Sequence, residues 1–234
     1  LSANTTSSGN TAVGSAALLA SNGDNNTAVG RIALTANTTG TNNAAFGRST
    51  LYSNTTGANN TAVGEEALKD NTAASNSAFG YRALFENTTG TRNQAFGLYA
   101  LLNNTTANDN TAIGYNTLAE NTTGARNTAL GAYALDANTT AHDNIAIGYD
   151  ALQQNTTGNQ HTVVGNYAGD SVTTGVQNTA LGYQALSSCS TGGQNCMIGS
   201  FAGRDCTGDE NTCVGDDAAV ELTTGDNNTC IGNG

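Results

Sequence analysis

From Asn10 onward one five-residue pattern is rewritten down the chain: Asn, a mostly polar residue, a small apolar residue, a larger apolar residue, glycine. It reads "NTAVG" at Asn10, Asn26 and Asn60, and "NAAFG" at Asn43. The closing glycines are Gly14, Gly30, Gly47, Gly64, Gly80, Gly97, Gly114, Gly131, Gly148, Gly165, Gly182, Gly199, Gly215 and Gly232, fourteen copies at intervals of 16 or 17 residues. A period this short excludes the helix pairs of the common helical solenoids, whose repeats run to ~33 residues or more. Asn, Thr and Gly also weaken a helical backbone. Alternation in "NTAIG", a glycine break, an apolar "AL" and an "NTTG" turn cluster predict short strand, turn, short strand and loop in each unit. The expected fold is all-β: a parallel β-roll or β-solenoid of about fourteen coils of 16–17 residues, two short strands per coil, filling residues 1–234 as a single repeat domain.

The columns assign faces. The fourth motif position is Val, Phe, Ile or Leu in every copy, from Val13 to Ile231, and is expected to point into the core. The second strand adds Leu18, Leu34, Leu51, Leu68, Leu84, Leu101, Leu118, Leu135, Leu152 and Leu186. The third position is then on the opposite face, because strand side chains alternate. It is Ala in most copies and Val163, Met197, Cys213 and Cys230 in the rest. A small apolar column facing outward implies a second buried surface, covered by another copy of the chain. The alternative is a thin roll whose opposite wall lies too close for anything but Ala. The first position is Asn10, Asn26, Asn43, Asn60, Asn76, Asn93, Asn110, Asn127, Asn144, Asn178, Asn195, Asn211 and Asn228, with His161 in the remaining copy. Asn amides stacked at the rung spacing can hydrogen-bond into a ladder. The constant residues therefore read as scaffold.

Composition narrows the function. The net charge is −11, from 7 Lys+Arg and 18 Asp+Glu. That argues against nucleic acid, which needs clustered cations, and against anionic lipid. No apolar run approaches the ~18 residues of a membrane span, and nothing reads as a signal peptide. The chain starts without Met and stops in mid-repeat at Cys230-Ile231-Gly232, and is expected to be a fragment of something longer.

What varies is where function is expected. The two positions after each glycine hold seven of the eight tyrosines. Tyr81, Tyr115, Tyr149 and Tyr183 form one set at 34-residue spacing, and Tyr99, Tyr133, Tyr167 and Phe201 a second. Such a stripe either presents amphipathic rings to a glycan or protein, or covers the Ala and Leu columns. Arg92, Asp109, Arg126 and Asp143, 17 apart, alternate in sign and are expected to keep coil register. Cys189 and Cys206, and Cys213 and Cys230, are also 17 apart, a spacing compatible with disulfides between adjacent rungs and hence with an oxidising setting. No catalytic motif or cofactor signature appears, and His142 and His161 lack metal-ligand spacing. The acidic residues Asp205, Asp209, Glu210, Asp216, Asp217, Glu221 and Asp226 match neither calcium-loop pattern, so no metal and no enzymatic activity are expected. The "NTT" triplets at Asn37, Asn54, Asn87, Asn104, Asn121, Asn138 and Asn155 are glycosylation sequons that also suit turn chemistry.

The motifs "NNTAVG" at Asn25–Gly30 and "DNIAIG" at Asp143–Gly148 resemble the YadA-like head repeats of trimeric autotransporter adhesins. "NTALGYQAL" at Asn178–Leu186 is similar to the "NTAVGYxAL…NTTG" repeats of phage tail fibres and other bacterial surface fibres. The resemblance covers the whole chain. It implies a left-handed roll, three chains side by side, and a rigid extracellular or virion fibre that contacts cell-surface glycan or protein. It carries over no catalytic residue. The residues offer two other functions: an ice-binding solenoid, whose Thr rank is broken at Ala44, Ser77, Gln94, Ile145 and Cys196, and a glycan-cleaving tailspike, for which Glu65-Glu66 and Asp216-Asp217 are weak paired carboxylates.

Overall fold

The computed structural model describes residues 6–234. It contains fourteen three-residue strands, one per motif. Seven belong to a first compact unit, comprising the chain through Asn116 together with Asn121–Thr123: β1 (Thr11–Val13), β2 (Thr27–Val29), β3 (Ala44–Phe46), β4 (Thr61–Val63), β5 (Ser77–Phe79), β6 (Gln94–Phe96) and β7 (Thr111–Ile113). Seven belong to a second, Thr117–Glu120 with Gly124–Gly234: β8 (Thr128–Leu130), β9 (Ile145–Ile147), β10 (Thr162–Val164), β11 (Thr179–Leu181), β12 (Cys196–Ile198), β13 (Thr212–Val214) and β14 (Thr229–Ile231). Within each unit every strand pairs in parallel with the next, motif position against motif position. Ala28 faces Ala45 in the first unit, and Ala146 faces Val163 in the second. Each coil thus adds one rung to a β-solenoid.

The face assignment is the reverse of the one expected. The third-position column is buried, with Ala28, Ala45, Ala95, Ala146, Val163 and Met197 fully enclosed. The fourth-position column points out: Phe46, Phe96, Ile113, Leu130 and Leu181 are 37–48% exposed and their column neighbours are half-buried. The thin-roll alternative describes the coil. Its interior has room for one small column from the strand and one large column, the leucines, from the opposite wall, and the larger strand residues are left outside.

Volume compensation explains the exceptions. In the coil where Ala gives way to Val163, the leucine column carries Gly169, and in the coil with Met197 it carries Gly203. A Cβ on Gly203 would meet Met197 Sδ, Cε and Cγ, and one on Gly169 would meet Leu152 Cδ2 at 3.2 Å and Val163 Cγ2 at 3.7 Å. One core volume is shared between the two columns, as close packing requires.

Among the described residues the second expected strand is absent. The "xxAL" segment is a run of turns, and its leucines adopt positive φ, +47° to +58° from Leu18 to Leu186. So do the second residue after each glycine and the residue before the motif Asn. These positions bend the coil, and their N–H groups still reach adjacent coils: Ile32 donates to Ser15 O at 2.8 Å, Leu34 to Thr50 O at 3.0 Å and Asn42 to Asp24 O at 3.1 Å. The left-handed region costs an L-residue roughly 1–2 kcal/mol, which the inter-coil bonds and packing must offset. The chain's lack of proline follows, since proline fixes φ near −65° and has no N–H. Asn tolerates this region best. At exposed Gln160, whose φ is +62°, Gln160→Asn is therefore expected to raise the free energy of unfolding by about 0.5 kcal/mol in a denaturant titration.

Candidate functional site

Two polar ladders hold the coils in register beneath the candidate surfaces. Each motif Asn accepts, through Oδ1, the main-chain N–H of the motif residue one coil on, at 2.8–3.0 Å within each unit. Its Nδ2 donates to a loop carbonyl of the next coil, as Asn43 does to Gly57 O and Asn178 to Gly192 O, both at 2.8 Å. The expected amide-to-amide stack is thus mainly amide-to-backbone, because the next Asn N–H would otherwise be a buried, unpaired donor. The amide-to-amide ladder lies in the "NTTG" column instead. Asn87 Nδ2 donates to Asn71 Oδ1 and Asn104 Nδ2 to Asn87 Oδ1, both at 2.7 Å, and Asn121 Nδ2 to Asn104 Oδ1 at 2.9 Å. These asparagines are fully buried. Sequence reasoning took them for turn residues. The signal was there: Asn37 to Asn155 recur at coil spacing as faithfully as the motif Asn.

His161 takes an Asn position and makes both Asn bonds with one ring. Nδ1 accepts the Asn178 N–H at 3.2 Å, and Nε2 lies 2.8 Å from Gly175 O, which requires the neutral Nε2–H tautomer. Burial pushes its pKa from 6.5 down to about 4, against the hydrogen bond to Gly175 O. The unfolded chain therefore binds the extra proton first. Its neutral form contributes full stability above pH 6.5, and that contribution is lost as pH falls toward 4. Relative to His161→Asn, the wild type is expected to lose about 3 kcal/mol between pH 7 and pH 4. Denaturant midpoints of both proteins at both pH values measure this. The comparison cancels groups such as Asp136, which burial and Glu120 raise to about 6 and which works in the opposite direction.

The tyrosine stripe forms as spaced. The two 34-residue sets interlock edge-to-face within each unit. Tyr81 and Tyr99 are 5.6 Å apart between ring centroids, and Tyr99 and Tyr115 6.4 Å. In the second unit the row runs Tyr133, Tyr149, Tyr167, Tyr183, Phe201, with steps of 6.0, 5.3, 6.1 and 5.3 Å. Tyr115, Tyr149 and Tyr183 are exposed, while Tyr99, Tyr133, Tyr167 and Phe201 are half-buried props. Arg82 lies over Tyr81 and Phe85 and bonds Glu66 Oε2 at 2.7 Å, which anchors the start of the row. The stripe therefore both packs and presents rings.

The charge column pairs across coils. Arg92 grips Asp109 through Nε at 2.6 Å and Nη2 at 2.9 Å, and Arg126 grips Asp143 with the same two distances. Arg126, joined by His142, holds the Asp143 carboxyl down at about 2. These exposed pairs contribute little to stability. All five cysteines are thiols in this structure. Cys213 and Cys230 are in-register partners on β13 and β14. Cys189 and Cys206 stand in the buried Asn column: Cys189 Sγ donates to Gly192 O at 3.7 Å, and Cys206 Sγ accepts from Asn211 Nδ2 at 3.4 Å. Burial pushes the Cys189 thiol up to about 11 and Cys213 to about 12. Among the described residues no group of three or more His, Cys, Asp or Glu is arranged to hold a metal ion, and no helix is long and apolar enough to cross a membrane.

No protein-family profile, curated protein or solved structure matches the chain.

Proposed function

We propose that the chain is a non-enzymatic, structural and adhesive segment of an extracellular or virion fibre. In this reading three copies of a left-handed roll pack side by side and present the tyrosine stripe to a cell surface. The observation that carries it is the outward fourth-position column. In each unit seven Val, Phe, Ile or Leu side chains stand in register on one strand face, flanked by a half-exposed, mostly Thr rank. Phe79 and Phe96 stack there at 4.8 Å with planes 7° apart. A lone soluble chain has no use for such a row. Burying one Val, Leu, Ile or Phe side chain contributes roughly 1.5–3 kcal/mol, and contiguous exposed apolar patches mark interaction surfaces. Self-association fits because every coil presents the same face, so a second copy of the chain meets it rung for rung. The number three comes from the resemblance to trimeric fibre repeats. The surface is therefore the reverse of the one first expected, with the larger side chains, not the alanines, meeting the neighbouring copy. The test is solution mass together with a column variant. Ile113→Asn with Leu181→Asn is expected to leave β-circular dichroism intact and to reduce the assembly to single chains.

A further inference from the structure

We infer that the stripe of the second unit is a binding track for an extended β-1,4-linked polysaccharide. This rests on the adhesive reading above and names the ligand class. The row is a checkerboard. Tyr149 is followed by Asp150, and Tyr183 by Gln184, while Tyr167 and Phe201 fill the diagonal places on the rungs between and beyond. Every rung along it offers one aromatic ring, and a carboxylate or an amide sits beside each exposed tyrosine. That is the chemistry a pyranose needs: ring faces for its axial C–H groups, polar side chains for its equatorial hydroxyls.

The period selects the linkage. Equivalent exposed rings, Tyr149 and Tyr183, are two rungs apart, about 9.6 Å at the parallel-strand spacing. A β-1,4-linked chain turns each sugar over relative to the last, so equivalent faces recur every second residue along a straight axis, over a length close to two rungs. An α-1,4-linked chain coils and cannot follow a straight row. The half-buried rings meet their neighbours edge-to-face at 5.3–6.1 Å, which holds the exposed rings in place before any ligand arrives and lowers the ordering cost of binding.

The chain has eight tyrosines and no tryptophan, so its intrinsic fluorescence is tyrosine emission, half of it from Tyr133, Tyr149, Tyr167 and Tyr183 of this row. Titration with cellohexaose and chitohexaose is expected to change that emission with saturation, and retention on microcrystalline cellulose or chitin is expected to follow. Tyr149→Ala and Tyr183→Ala are each expected to weaken binding about tenfold. Gln184→Ala, a smaller perturbation of the same track, is expected to weaken it about threefold. Tyr52→Ala, outside the stripe, should leave binding unchanged. Absence of binding by either hexaose at about 1 mM overturns the inference. So does equal binding of maltohexaose, or binding that all three stripe substitutions leave intact. A multimer that binds no glycan removes this inference alone, whereas a single chain that binds glycan removes the fibre assembly and leaves this inference standing.

Discussion

Gly203→Leu is expected to unfold its coil, and adding Met197→Ala is expected to restore it. Gly203 already sits at φ +55°, the conformation of the leucine column, so leucine there bears only the left-handed cost of roughly 1–2 kcal/mol that the other leucines bear. What it meets is Met197, whose side chain fills the space a leucine occupies in other coils. Forcing both into one coil overpacks a core that has no alternative volume, at roughly 3 kcal/mol or more. Removing the methionine recreates the Ala and Leu pairing of the other coils. The double variant is expected to recover most of the wild-type stability, a coupling of about 3 kcal/mol in a double-mutant cycle read by chemical denaturation. Additive effects would contradict the shared core volume.

The second large effect concerns modification. Seven "NTT" sequons place their acceptor Asn wholly inside the roll. Asn87 Nδ2 donates both to Asn71 Oδ1 and to Gly90 O at 2.9 Å, and a glycan on that nitrogen would replace a ladder hydrogen and push a hydrated sugar into a closed coil. Made in a secretory pathway that glycosylates such triplets before folding, the chain is expected to lose its fold entirely wherever a site is used. Blocking N-glycosylation, or making the chain in a cytoplasm that lacks it, is expected to restore the β spectrum. A fully glycosylated chain with intact circular dichroism and protease resistance would contradict the internal placement of this column.

Much of this architecture is legible in the residues, and its misreadings have physical causes. The period of 16–17 residues gives the solenoid, the rung count and the parallel register directly. The inside–outside assignment failed because size was taken as the sign of burial. In a coil this thin the larger side chains, Val29 or Phe46, do not fit beside a leucine, and Ala28 and Ala45 do. The correct reading was available in the exceptions, since Val163 and Met197 occur where the leucine column falls to Gly169 and Gly203. The second strand failed for a different reason: "AL" is apolar, but nothing in those letters signals that Leu34 and Leu51 sit at positive φ. That conformation is imposed by inter-coil hydrogen bonds, a tertiary effect that overrides local preference. The tyrosine stripe was readable because its 34-residue spacing is two coils, while the edge-to-face interlock needed coordinates.

The central claim is that the outward Val, Phe, Ile and Leu column is a surface between copies of this chain. Absolute mass in solution, by light scattering after size exclusion, tests it most directly. The account predicts a mass about three times the 23.5 kDa of one chain, falling to that of one chain in the Ile113→Asn, Leu181→Asn variant. A wild-type chain that stays single at every concentration, with its apolar column open to water, would contradict it.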